Sequence, residues 1–148
     1  MITLYDETHA AECAVLFREV FAAPPFGFKW MAHENVMRYF SDLYRTPHFT
    51  GFVYREAPAA PIAGACFGVG NDYFASHLYD IKEIFVRLGS QGHGRGTLML
   101  KEIEAALAAR GVRAITLATQ RSMRAYEFYI KNGFSPSENT VYMSKLLE

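Results

Sequence analysis

A glycine-rich segment between a strand pattern and a helix pattern constrains the fold of this chain more than any other feature. The segment runs from Val86 to Gly96, and its last five residues alternate glycine with other residues. It leads directly into Thr97–Arg110, whose apolar residues recur at helical spacing. Backbone N–H groups at a helix start, beside the positive end of the helix dipole, suit a phosphate or pyrophosphate. The segment therefore predicts a strand-loop-helix unit that binds an anion.

Two well-known phosphate-binding loops are excluded by the residues of this segment. Gly89 and Gly94 have the spacing of a P-loop, but Arg95 and Gly96 stand where that loop needs Lys and then Ser or Thr. The dinucleotide-binding fingerprint needs a third glycine where this chain has Thr97. The unit also follows an antiparallel pattern late in the chain, unlike the first unit of a dinucleotide-binding domain.

The composition limits the class of protein. The 148 residues, of which 51% are hydrophobic, predict one folded domain spanning residues 1–148. A net charge of zero argues against a nucleic-acid partner, which usually requires a basic surplus. Two cysteines and scattered histidines give neither a disulfide framework nor the spacing of a metal site. Because no leader pattern and no apolar run of about 18 residues occurs, we expect a cytoplasmic protein with no membrane partner.

The remaining patterns predict an α/β fold with a mixed sheet. The order is β-α-α-β-β-β-α-β-α-β, and strands 78–86 and 112–119 are expected to pair in parallel. Thr8 is predicted to cap the first helix, Pro24-Pro25 to end it, and Ser122 to cap the last helix. The other predicted strands are 2–5, 49–54, 62–69 and 141–147.

Two motifs resemble those of a known enzyme family. Gln91-Gly92-His93-Gly94-Arg95-Gly96 matches Gln/Arg-x-x-Gly-x-Gly/Ala, with Val86 five residues before it. Downstream, Ala125-x-x-x-Tyr129-x-x-x-Gly133-Phe134 matches a second motif at the expected separation. Together they resemble the GNAT superfamily of N-acetyltransferases. The resemblance implies a single-domain α/β fold with a mixed, mostly antiparallel sheet, a central splayed parallel strand pair and about four flanking helices.

Three further patterns are similar to a small, largely uncharacterised branch of the GNAT proteins. They are Pro24-Pro25-Phe26, Thr46-Pro47 and Lys82-Glu83-Ile84-Phe85-Val86.

The resemblance implies that acetyl-CoA is the co-substrate. The amides from Gln91 to Thr97 would wrap its pyrophosphate, and edge groups near Phe85 and Val86 would bind the pantetheine arm. Ser122 stands where the family usually has Asn, which leaves a shorter contact or none. The side chains of His93 and Arg95 either contact the cofactor or face solvent. The residues predicted to bind the cofactor are Phe85, Val86, Gln91, Gly92, His93, Gly94, Arg95, Gly96, Thr97 and Ser122.

The resemblance also implies two proton transfers. Tyr129 lies where the family often places the proton donor for the departing thiolate; the alternative is a tyrosine buried only for packing. The predicted base is Glu83, because it adjoins the Ile84-Phe85-Val86 run that is expected to line the cleft. Asp80, which strict alternation puts on the opposite face of the strand, is the other candidate. An ion pair across the sheet is the structural alternative for Glu83. Deprotonation through a chain of waters is a third alternative.

The predicted reaction is transfer of an acetyl group from acetyl-CoA to the primary amine of a small molecule, by direct attack in a ternary complex. Phe26, Trp30 and Asp80 are predicted to bind this acceptor, whereas packing is the alternative for the two aromatic residues. A protein amine as acceptor, and a CoA-binding module without catalysis, are the competing functions. Pairing of two copies through the last strand is common in the family and is left open.

Overall fold

The computed structural model describes residues 1–29, 31–71, 77–89 and 94–148. A short 3-10 helix, Glu7–His9, precedes the first α-helix. The described strands and helices are β1 (Ile2–Leu4), α1 (Ala10–Ala22), α2 (His33–Tyr44), β2 (Phe49–Arg55), β3 (Ile62–Asn71), β4 (Leu78–Val86), α3 (Arg95–Ala109), β5 (Ala114–Thr116) and α4 (Arg124–Lys131). They fall into two compact units, Met1–Ala118 and Thr119–Glu148.

The described part of the first unit contains a five-stranded mixed sheet with the order β1-β2-β3-β4-β5. The first three pairings are antiparallel, and β4 pairs with β5 in parallel. This confirms the predicted α/β fold and its parallel strand pair. The parallel pairing ends at Asp80 opposite Thr116, although β4 continues to Val86. The two parallel strands therefore separate beyond Asp80, as far as the described residues go.

The sheet has a core on each face. On one face, α1 and α2 cover an aromatic cluster that includes Phe17, Phe40 and Phe85, each at most 6% exposed. On the other face, Ile103 and Leu107 of α3 pack in a second buried cluster. Full burial of one such side chain stabilises a fold by roughly 1.5–3 kcal/mol, so these clusters hold the helices to the sheet.

The first helical segment is capped by Asp6 and not by Thr8, so the predicted cap is wrong. The Thr8 backbone N–H donates to Asp6 Oδ1 at 2.8 Å. In return, the Asp6 backbone N–H donates to His9 Nδ1 at 3.0 Å, which closes a capping box. The carboxylate at Asp6 takes the role because Asp6 lies directly before Glu7, where the helical backbone begins. The predicted end of α1 ahead of Pro24-Pro25 is confirmed at Ala22.

Helix α3 begins at Arg95, two residues earlier than predicted, so part of the glycine-rich segment forms its first turn. At the other end, Gly111 has a φ of +85°, the left-handed conformation that favours glycine. Gly111 N–H donates to Ala108 O at 3.0 Å and Val112 N–H donates to Leu107 O at 3.1 Å. These two bonds form a Schellman cap, as expected for a glycine just after a helix.

Two predicted strands differ in the structure. The strand predicted over 112–119 is shorter, because β5 spans Ala114–Thr116. The strand predicted over 141–147 is wrong: these residues form no strand in the structure, and Val141, Tyr142 and Leu146 are 74%, 88% and 96% exposed. A strand needs a partner for its backbone groups, and the second unit as described contains no other strand.

The prediction that Ser122 caps the last helix is also wrong, since α4 has Met123 at its N-cap and no side-chain cap. No helix among the described residues combines the length and the apolar character needed to cross a membrane.

Candidate active site

A β-bulge in β4 determines which side chains of this strand share a face. Phe67 of β3 lies opposite Glu83 and Gly68 lies opposite Ile81, so Lys82 is an extra residue without a partner in the register. Because one residue is inserted, the alternation of faces is offset by one position beyond it. Tyr79 and Ile81 before the bulge, and Ile84 after it, all belong to the cluster beneath α3.

The bulge places Asp80 and Glu83 on the same face of the sheet. Asp80 is opposite Val69 and Glu83 is opposite Phe67, and both of these β3 residues belong to the cluster beneath α1 and α2. The prediction that the two carboxylates lie on opposite faces is therefore wrong. Strict alternation holds only for an uninterrupted strand, and Lys82 interrupts this one.

Glu83 lies beside helix α2. The Tyr39 hydroxyl donates a hydrogen bond to Glu83 Oε1 at 2.8 Å. Burial raises the pKa of the Glu83 carboxyl above its ordinary value, and the Tyr39 hydrogen bond lowers it in part. Burial likewise raises the pKa of Tyr39, so the phenol stays protonated as a donor at neutral pH. An ion pair to Glu83, the structural alternative, is not found among the described residues.

Asp80 is tied to its neighbours in the sheet. The Thr116 hydroxyl donates to Asp80 Oδ1 at 2.7 Å, across the last residue pair that joins β4 and β5. Lys82 Nζ lies 2.7 Å from Asp80 Oδ2. The predicted acceptor-binding carboxylate is thus already engaged on both oxygens, at the point where the two parallel strands separate.

The N-terminus of α3 is the part of the anion site that the structure describes. Gly94 is the N-cap and has a φ of +74°, a conformation that other L-residues rarely adopt. The first intrahelical bond runs from Leu98 N–H to Gly94 O at 2.9 Å. The N–H groups of Arg95, Gly96 and Thr97 therefore precede the intrahelical ladder and have no i−4 acceptor in the helix. Gln91, Gly92 and His93 lie outside the described residues.

Arg95 forms an ion pair at this helix start. Its Nε lies 3.0 Å from Oε1 of Glu56, which follows β2. The Arg95 side chain is 37% exposed, so this ion pair lies at the surface. The ion pair keeps a cationic group beside the first turn of α3.

Phe85 and Val86 end β4. The Phe85 side chain is 3% exposed and its ring centroid lies 5.3 Å from that of Phe17. The side chain of Phe85 is therefore part of the core, and a ligand at this position meets backbone. Val86 packs, partly buried, against the opposite cluster.

The second unit contains the downstream motif, and helix capping accounts for its spacing. Gly133, with a φ of +89°, follows α4; its N–H donates to Ile130 O at 3.2 Å, and Phe134 N–H donates to Tyr129 O at 3.0 Å. The rings of Tyr129 and Phe134 are 5.5 Å apart, the apolar contact typical of a Schellman cap. Tyr129 is 9% exposed.

Phe26 follows α1, where its ring packs 4.8 Å from Phe21 and 6.1 Å from Phe28. These are the contacts expected if Phe26 serves for packing and not for binding the acceptor. Trp30, the other aromatic residue predicted to bind the acceptor, lies outside the described residues.

A comparison with protein-family models matched residues 15–134 to the Acetyltransferase (GNAT) family. The chain belongs to this family.

Solved structures share the GNAT fold at low sequence identity. An aminoglycoside acetyltransferase from an uncultured soil metagenomic sample, in complex with sisomicin, has a TM-score of 0.76 and 17% identity, covering 100% of this chain and 96% of its own. AAC(6')-Iy in complex with the bisubstrate analog CoA-S-monomethyl-acetylneamine has a TM-score of 0.72 and 14% identity, with coverage of 99% and 98%. Ribosomal-protein-alanine N-acetyltransferase from Brucella melitensis biovar Abortus 2308 has a TM-score of 0.74 and 13% identity, with coverage of 99% and 99%. No curated protein sequence matched the chain.

Tyr39, the hydrogen-bond partner of Glu83, is the residue of this candidate site that sequence reasoning missed. It is 40% exposed on α2, beside the buried Phe40, and reads from the sequence as an ordinary surface position. Its partner Glu83 reaches α2 because the bulge at Lys82 turns the carboxylate toward that helix. The signal for this bulge in the sequence is Gly68 on the partner strand, because a glycine inside a strand often marks a bulge.

The two cysteines take no visible part in this site. Both are fully buried, and burial raises the pKa of the Cys66 thiol to about 12. Such thiols are inert at neutral pH. Among the residues that the structure describes, no group of three or more His, Cys, Asp or Glu is placed to hold a metal ion.

Proposed function

We propose that this GNAT protein is an acetyltransferase that moves an acetyl group from acetyl-CoA to the primary amine of a small molecule. The observation that carries the proposal is the junction of β4 and α3. There, β4 continues beyond its last residue pair with β5. Helix α3 then begins after its N-cap Gly94, with no side-chain cap. The two features lie at opposite ends of one short connection, residues 87–93.

The described residues fit the two polar parts of CoA. A pyrophosphate at the start of α3 would accept hydrogen bonds from the N–H groups of Arg95, Gly96 and Thr97, and the helix dipole would add to this attraction. The pantetheine arm carries amide groups, and the backbone of residues 81–85 offers it a strand edge that β5 does not pair with. The arm would thus extend the sheet where the parallel strands separate.

In the proposed reaction the nitrogen lone pair of the amine attacks the acetyl carbonyl carbon. An N–C bond forms, the C–S bond breaks, and the sulfur leaves as a thiolate. The Glu83 carboxylate accepts the proton that the amine nitrogen loses, and the Tyr129 hydroxyl donates a proton to the thiolate. Glu83 suits the role because its pKa lies above that of an ordinary carboxyl, which makes it a stronger base. Tyr129 is assigned on the motif.

The class of acceptor is proposed on chemical grounds. Phe26 and Trp30 would form an apolar wall, and Asp80 would place a carboxylate near the ammonium group of an incoming amine. Three probes represent the ligands and substrates of structurally similar proteins: sisomicin, neamine and a peptide that begins with alanine. Release of thiol with the aminoglycosides favours a small-molecule acceptor, and release with the peptide alone favours a protein amine.

Tyr129→Phe tests the catalytic half of the proposal. Loss of the hydroxyl removes a general acid, a change expected to lower the rate of thiol release about 10²-fold or more while acetyl-CoA binding is kept. Release is measured with the three amines and binding by thermal melting. Tyr126→Phe, which removes a hydroxyl from the same helix, is the control and should keep the wild-type rate. Wild-type turnover in Tyr129→Phe would remove Tyr129 from the mechanism.

The variant Gly94→Val tests the cofactor site in the same thermal-melting measurement of acetyl-CoA binding. A valine in the left-handed conformation distorts the first turn of α3, so acetyl-CoA should no longer raise the melting temperature. Gly111→Val is a matched control, since Gly111 has a similar φ at the other end of the same helix. It should lower stability but keep the shift. If wild type shows a shift and releases no thiol with any amine, the CoA-binding module replaces the enzyme.

A further inference from the structure

We propose that Tyr39 is a positioning residue for the acetyl-transfer reaction: its hydroxyl holds the Glu83 carboxylate in the orientation that receives the proton of the acceptor amine. The inference rests on the proposed function, in which Glu83 is the base. It adds a residue on a different element, helix α2, to the catalytic machinery.

The geometry of the contact supports an orienting role. The Tyr39 hydroxyl donates to Glu83 Oε1 at 2.8 Å, a good distance for a hydrogen bond to a carboxylate. The bond leaves Oε2 for a proton from substrate. The Tyr39 ring in turn packs 6.0 Å from the ring of Phe40, which is buried in the core. The hydrogen-bond donor is thus packed beside a residue of the buried core.

Among the described residues, Tyr39 is the side chain that shifts the pKa of Glu83. On β4 itself, Lys82 and Asp80 pair with each other. From β3, the residue opposite Glu83 is the uncharged Phe67. From α1, Arg18 donates its Nε hydrogen to the backbone carbonyl of residue 31 at 2.8 Å. Helices α1 and α2 carry other ionisable side chains that are not among the causes of the pKa shift of Glu83: Glu12, Cys13, Glu19, His33, Glu34, Arg38, Asp42 and Tyr44. Burial and Tyr39 are the causes that shift the pKa of Glu83.

The sign of the pH effect follows from the direction of the hydrogen bond. A donor stabilises the charged carboxylate, so the Tyr39 contact lowers the pKa of Glu83 against the effect of burial. Without the hydroxyl that pKa rises further. A base works only when deprotonated, so the loss of activity should be largest at low pH. Well above the pKa, only the loss caused by the lost orientation of the carboxylate should remain.

The test is Tyr39→Phe, with Tyr44→Phe on the same helix as control and Glu83→Gln as reference. The probe is whichever of sisomicin, neamine and the alanine peptide releases thiol with wild type, at pH 5.5 to 9.5. We expect the acidic limb of kcat/KM to move to higher pH in Tyr39→Phe, with a loss of about threefold to tenfold at pH 6 and a smaller loss at pH 9, where only the lost orientation of Glu83 acts. Tyr44→Phe should leave the limb in place.

A second readout does not depend on turnover. In protein labelled with ¹³C at the glutamate carboxyl carbons, the Glu83 resonance is the one that disappears in Glu83→Gln. Its titration midpoint should rise in Tyr39→Phe and stay unchanged in Tyr44→Phe. An unchanged limb and midpoint in Tyr39→Phe overturn the inference. An acidic limb that survives in Glu83→Gln instead removes Glu83 as the base, so the two failures are distinguishable.

Discussion

At the scale of single residues, close approach of backbone explains several glycines of β3. A Cβ built on Gly68 would lie 2.4 Å from Tyr79 Cζ and 2.6 Å from the backbone oxygen of Asp80. Gly68 stands beside the register shift of the β4 bulge, so the strand bends where a side chain would collide. Tyr79 in turn donates its hydroxyl to Thr50 O at 2.7 Å, which fixes the ring against Gly68.

Gly68→Ala should therefore destabilise the protein by about 1–3 kcal/mol, because the buried ring and a backbone oxygen must both shift. Gly70→Ala is the matched control on the same strand, where the nearest atom to a built Cβ is His48 O at 3.5 Å. We expect it to change stability by less than about 0.5 kcal/mol. Urea unfolding of both variants measures the difference, and equal stabilities would contradict the predicted collision.

At the scale of elements, α3 joins the candidate cofactor site to the sheet. Its first turn presents backbone N–H groups, and its buried side chains include Leu100 and Ile103. Ile103 packs in the same cluster as Tyr79 and Ile81 of β4. Two nearby leucines on this helix have opposite environments: Leu100 is fully buried, while Leu98 is 54% exposed. The stability of the helix therefore depends on one face.

Leu100→Ala should lower the free energy of unfolding by about 2–5 kcal/mol, the range for a truncated core leucine. Leu98→Ala removes the same atoms from the surface and should cost less than about 0.5 kcal/mol. Chemical denaturation of the two variants, with a check that the m-value is unchanged, gives both numbers. Similar losses in the two would show that the helix packs differently from the structure described above.

At the scale of the whole molecule, charge is balanced. The chain carries 15 basic and 15 acidic side chains, which gives a formal net charge of zero at pH 7. A molecule without net charge has no long-range self-repulsion, so colloidal stability depends on its surface. The exposed apolar side chains at residues 141–147 favour association between molecules.

Solubility should therefore pass through a minimum close to pH 7. Precipitation midpoints in polyethylene glycol, taken from pH 5.5 to 8.5 at constant ionic strength, measure this minimum. Lys145→Glu replaces an exposed positive charge by a negative one and takes the formal charge from 0 to −2. The minimum should then move to lower pH; a minimum that stays in place would show that charge does not control solubility.

Much of the order of elements was predictable, because local patterns determine it. Proline pairs, the glycine after α3 and apolar periodicity act within a few residues, and these placed α1, α2, α3 and the antiparallel strands. What was not predictable depends on partners distant in sequence. The bulge at Lys82 is visible only against β3, and Tyr39 has a role only once Glu83 faces α2. The strand at 141–147 failed for the same reason, since its residues favour a strand but lack a partner.

The bulge at Lys82 makes the number of residues in strand β4 more important than the identity of the inserted residue. Substitution at this position changes one exposed side chain, whereas deletion would exchange the faces of every residue on one side of it. Glu83 and Phe85 would then point toward α3, and Ile84 would point toward α1 and α2. A substitution at Lys82 would therefore remove its ion pair with Asp80 and leave Glu83 beside α2, whereas a deletion would turn Glu83 away from that helix.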